Sequence, residues 1–211
     1  MVGSGYMPVS YKSLLLPGIM AISMVFTGIL AVAMPRIGEF QFTREIEDRL
    51  LAPIDISWVA IEKVVAGLIQ AVVAGLVVIP LAWIILRPGL ELHLDNPMLF
   101  LFLTLLAAGF AACGGLALGC TVDQQDIGLM FSMVMIFFGC TYEPWSALTK
   151  FPILQKLVLI NPRAYASEGL RATLVPQFPH LSLAVVLVVL TGFDILFLVV
   201  GLRQFRNKAV S

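Results

Sequence analysis

Apolar residues fill this chain in long unbroken runs, not in the alternation of a half-buried strand or the one-sided spacing of a water-facing helix. Ser13 to Pro35 and Val64 to Leu86 carry no charged side chain. The stretch 96–122 is uncharged and rich in Ala, Gly and Leu, and Leu181 to Leu202 is uncharged apart from Asp194. A helix of about 20 apolar residues crosses the roughly 30 Å hydrocarbon layer of a bilayer. These runs therefore predict spans at about 13–35, 64–86, 97–120 and 181–202. A shorter run at 127–142 is read as a fifth. Phe151 to Ile160 is apolar but too short to cross as a helix, and is expected to lie in the interface or to re-enter from one side. The predicted fold is an all-α membrane protein: about five transmembrane helices in one domain over residues 1–211, with short helices outside the bilayer.

Composition supports the bilayer as solvent. Apolar residues make up 60% of the 211, and charged residues only 12%, about half the share of an ordinary soluble domain. Thirteen basic and thirteen acidic residues cancel. That leaves no basic surface of the kind that neutralises phosphates, so lipid is an expected partner and nucleic acid is not. Cys113, Cys120 and Cys140 lie in or beside apolar runs and form no CxxC or Cys/His set, so they are read as small packing residues. Lys12 is the single charge before the first run, which is too long for a signal-peptide core.

The polar connections carry the rest of the information. Arg36 to Lys63 holds ten charges, and within it Thr43 to Ile54 reads TREIEDRLLAPI. Thr43 suits a helix N-cap, and Glu45, Glu47 and Asp48 suit its positive end. Glu45 and Arg49 fall four apart, as do Ile46 and Leu50 on the other face, and Pro53 ends the helix. A short amphipathic helix along the membrane surface is predicted. Joined stiffly to the next span through residues 57–63, it is either a lever or a solvated loop helix with no partner. The basic tail (Arg203, Arg206, Lys208) favours a cytoplasmic C-terminus, which places the 36–63 loop inside as well.

On the other side, Tyr142 to His180 is rich in Pro and aromatic residues. Asn161 and Pro162 suit the N-cap and first position of a helix, and Glu168 and Arg171 are expected to pair on its surface. Tyr142 and Trp145 suit the headgroup layer, with ring buried and polar atom wet. The segment is read as a helical cap over the outer ends of the spans, or an ordinary interfacial loop. Ala107, Ala111, Gly115 and Gly119 form a small-residue stripe expected to pack against another helix of the same chain, with a dimer contact as the alternative. Asp194, mid-span, is expected to hydrogen-bond within the bundle, with proton coupling as the alternative. His93 and His180 make no metal set, no Ser/His/Asp constellation stands out, and GxxxxGK[ST] is absent. No enzyme activity and no bound cofactor or metal is expected.

The two polar segments together resemble the permease subunits of ATP-binding-cassette transporters of the type-two exporter family, which includes drug, polysaccharide and lipo-oligosaccharide exporters. Glu47, Asp48, Arg49, Leu50, Leu51, Ala52 and Pro53 are similar to that family's cytoplasmic coupling helix, though Ile46 and Glu47 replace a frequent Gly-Thr. Asn161, Pro162, Tyr165, Glu168, Gly169, Leu170 and Arg171 are similar to its external helix motif, and Leu16-Pro17-Gly18 to the start of its second span. The resemblance implies a homodimer of permease chains served by separate ATP-hydrolysing cassette subunits, moving a hydrophobic, amphipathic or lipid-linked cargo out through the plasma membrane. ATP would be used by the partner, and the coupling helix at 43–54 would transmit its closure. Family members usually have six spans, so the first span and its preceding amphipathic helix are expected to be missing here. Other readings of the same residues are an ion-coupled carrier and a truncated or non-transporting scaffold.

Overall fold

The computed structural model describes residues 11–38, 56–86, 94–121 and 144–210. Every regular element among them is helical: α1 (Tyr11–Gly38), α2 (Ile56–Leu86), α3 (Pro97–Thr121), a 3₁₀ turn (Trp145–Lys150), α4 (Pro152–Val158), α5 (Pro162–Leu174) and α6 (Leu183–Val210). Four of these are long and apolar enough to cross a membrane: Tyr11–Pro35, Ser57–Ile85, Pro97–Cys120 and Leu183–Asn207. Helices suit this solvent because each backbone donor meets an acceptor inside its own segment. The predicted fifth span at 127–142 and the predicted surface helix at 43–54 lie outside the described residues.

The helices outrun the apolar windows that predicted them. α2 begins at Ile56 and not near Val64, carrying Glu62 and Lys63 within the helix. α6 runs to Val210, so the basic tail is helical. Charged residues end a hydropathy window but not a hydrogen-bond ladder, and near a membrane surface their heads reach water while the helix continues. Trp58 and Trp83 are both exposed on α2. They stand about 37 Å apart along the axis, close to the hydrocarbon thickness plus its two interfaces.

α1 and α3 form the centre. α1 packs along α2 and α3, and α3 along α6, whereas α2 and α6 barely meet. The central pair is close because small residues face each other. A Cβ added at Gly115 would lie 2.7 Å from the Ile29 carbonyl oxygen and 2.9 Å from its Cα, and one added at Gly28 would lie 2.6 Å from the Ala111 Cβ. Ala107, Ala111, Gly115 and Gly119 are buried, and Ala111 and Gly115 meet α1. The stripe packs within the chain. Cys113 and Cys120 are buried on the same helix.

The outer helices wear their apolar side chains outward. Val65, Ile69, Val73, Ile84 and Ile85 of α2 and Val188, Ile195 and Val199 of α6 are exposed, as lipid-facing surfaces should be. α1, α3 and α6 begin at one end of the bundle, where α5 meets all three. At the other end Val32, Ala60, Val64, Leu116, Cys120 and Phe205 pack together. The end of α1, the start of α2 and the tail of α6 therefore share that face.

Candidate functional site

α5 starts where the sequence puts it. Asn161 caps it, its side-chain oxygen accepting from the Arg163 N–H at 3.1 Å, and Pro162 opens the first turn. Its depth departs from the surface cap expected: every residue from Pro162 to Leu174 is buried. α5 is wedged among the first turns of α1, α3 and α6 rather than laid over them. Gly169 permits the fit, since a Cβ there would lie 2.9 Å from Val186 Cγ1 on α6 and 3.3 Å from Leu103 Cδ2 on α3.

The Glu168–Arg171 pair forms, but inside the protein and not on the helix surface: both side chains are 0% exposed. The wedge closes over a pair that a lone helix would show to water. Glu168 Oε1 also accepts from the Trp145 N–H at 3.0 Å, and Oε2 accepts from the Leu181 N–H at 3.4 Å. Arg171 Nη2 donates to the Leu14 carbonyl at 3.4 Å. Two side chains on one helix turn thus reach backbone at the foot of α1, at the start of the 3₁₀ turn and at the entry to α6. Burying two charges costs several kcal/mol each unless their remaining valences are filled. Here the carboxylate accepts from three donors, which offsets the cost on the Glu168 side.

A second set of bonds ties α4 to this group. Tyr165 donates its phenol O–H to the Leu159 carbonyl at 3.0 Å, and burial raises its pKa, keeping the proton on the donor. Gln155 Nε2 donates to the Trp145 carbonyl at 3.3 Å. Val158, Ala164, Trp145 and Leu148 pack as a small core beneath. Trp145 departs from expectation, because its indole Nε1 is buried with no hydrogen-bond partner among the described residues. α4 itself shows Ile153, Leu154 and Leu157 to the surroundings, flanked by exposed Phe151 and Ile160, which suits the interfacial helix the sequence predicts.

Residues 2–175 match the model of the ABC-2 type transporter family. The chain belongs to that family. No curated protein and no solved structure matches it. Membership makes this a multi-pass membrane permease of ABC-type transporters.

Within this ABC-2 permease, the structure draws Asn161, Pro162, Tyr165, Glu168 and Arg171, the motif expected to be external, into one cluster, and the packing stripe (Ala111, Gly115, Gly119) lies in a separate interface. Glu45, Glu47, Asp48, Arg49, Leu50, Leu51 and Pro53 lie outside the described residues. The hydrogen bond expected of Asp194 is not seen at its Oδ1 among the described residues. That oxygen is buried, and on the facing side of α3 the carboxylate meets Gly109, with Cys113 one turn further on. Trp145, Leu181 and Leu14 enter the cluster through main-chain atoms, so their side chains give no sequence signal. Gly169 was visible in the motif, but its reason needed the packing.

Proposed function

We propose that this ABC-2 permease is the membrane-spanning half of an ATP-driven exporter in the cell membrane, with its C-terminus in the cytoplasm. Two permease chains pair, and separate cassette ATPases dock on the inner face. The chain has no nucleotide site of its own, lacking GxxxxGK[ST], and ATP is used by the partner. The cargo is hydrophobic, amphipathic or lipid-linked, in keeping with spans that offer few polar handles.

The observation that carries the reading is the shared inner face. The helix ends that flank residues 39–55 pack on the same side as the basic end of α6, opposite α5. A lever at 43–54 held between α1 and α2 would pass a push from below straight into the central helix. For that push to move cargo, the ATPase must favour one of two conformations and the cargo must bind them differently.

The test reverses two charges of the lever, Glu47→Lys with Arg49→Glu, in vesicles reconstituted with the cassette ATPase. Insertion is expected to persist while transport-linked ATP hydrolysis is lost. Undiminished ATPase stimulation by the double variant would remove the lever from the mechanism.

A further inference from the structure

We infer that Glu168 and Arg171 are positioning residues that fasten the outer ends of α1 and α6 to one another through α5, so that these ends move as a single body during transport. The observations behind this are specific. Glu168 reaches the entry to α6 through Leu181 and the 3₁₀ turn through Trp145. Arg171, paired with Glu168, reaches the foot of α1 through Leu14. The tied positions are far apart in sequence and meet at one fully buried pair. A buried ion pair is poor value for stability alone, since apolar residues of similar volume often serve as well. Its merit is geometric: a guanidinium fork and a two-oxygen carboxylate fix several elements at once.

This fastening constrains how the permease opens. Separating the outer ends of α1 and α6 would break the hydrogen bond to Leu14 or to Leu181 and open the buried pair to its surroundings, so opening between them is disfavoured. α2 is outside the fastening: its principal neighbours are α1 and α3, and it has no close packing against α5. Cargo therefore leaves along a face of this body, not through its middle.

Two substitutions cut different ties. Glu168→Gln has one acceptor oxygen where two are used, so whichever way its amide turns, either Trp145 or Leu181 presents its N–H to another donor. Arg171→Lys can still pair with Glu168 but lacks the second arm of the fork and loses Leu14. The inference rests on the permease reading for its role in transport, but not for the fastening itself, and the experiment separates the two. Spin labels go on Tyr11→Cys and Val185→Cys, exposed positions in the first turns of α1 and α6, with the native cysteines replaced. The chain is placed alone in lipid nanodiscs and diluted with unlabelled chain, so that only distances within one chain are read.

The native background is expected to give one narrow distance, and Arg171→Lys a broadened one, with Glu168→Gln broadened likewise. If Glu168→Gln does not insert, Arg171→Lys decides alone. A broad native distribution, or variants as narrow as native, overturns the fastening. With the ATPase and ATP added, the native distance is expected to stay put, and Arg171→Lys to lower cargo moved per ATP hydrolysed by about fivefold or more, an effect that lost stability alone would not produce in folded protein. A native distance that changes with ATP overturns the single-body claim. Absence of ATPase stimulation in the native protein speaks against the permease reading and leaves the nanodisc result standing.

Discussion

At the residue scale, two glycines in the spans make opposite predictions. Gly115 lies against the backbone of Ile29, and backbone cannot step aside as a side-chain tip can. Gly115→Val is therefore expected to cost about 1–3 kcal/mol or more, read as a lower unfolding temperature in detergent. Gly192 has nothing within 4 Å of an added Cβ among the described residues, so Gly192→Ala should leave the protein as stable or gain up to about 1 kcal/mol. Equal effects at the two sites would show that α1 and α3 do not meet as described. Asp194 gives a third expectation. Its Oδ1 is buried without a donor among the described residues, so Asp194→Asn should keep both the unfolding temperature and transport. A marked fall in the first would reveal a hydrogen-bond partner, and selective loss of the second would favour the ion-coupled reading.

At the element scale, the long helices were legible because a bilayer writes its thickness into the sequence. Four predicted spans appear as four helices, and α1, α2 and α6 run beyond their apolar windows. The window missed Ile56 to Lys63 of α2 and the tail of α6, since charge at an interface interrupts hydropathy and not the helix. The cap of α5 was legible as well, because Asn-Pro is a local signal. The depth of α5 was not. The pattern Pro162–Leu174 holds Arg163, Ser167, Glu168, Arg171 and Thr173, which reads as a helix with a wet face. Only the positions of α1, α3 and α6 show that this face is buried, with Glu168 and Arg171 paired inside. The reverse holds for α6, whose outward side chains face lipid: Ile195 is 59% exposed in mid-span. Ile195→Arg is expected to disfavour insertion by about 2.5–3.5 kcal/mol, measured as the fraction of chains in which the segment crosses the membrane. Full insertion of that variant would mean that water or protein, and not lipid, meets this face.

At the scale of the whole molecule, the chain has two ends with different chemistry. One end is locked by a buried ion pair and a wedge helix. The other gathers the ends of α1 and α2 with the basic tail of α6 around an apolar cluster. That asymmetry suits a machine driven from one side and discharging on the other. In the function proposed above, force would enter where residues 39–55 join α1 to α2, and the body fastened at the opposite end would move in response. The central claim is that a separate ATPase supplies this force. Its most direct test is to extract the tagged full-length chain from its native membrane in mild detergent and assay what comes with it. The account predicts a stably bound cassette subunit and ATP hydrolysis that tracks with the chain through purification. A folded, intact permease that elutes with no nucleotide-hydrolysing companion and no ATPase activity would contradict it.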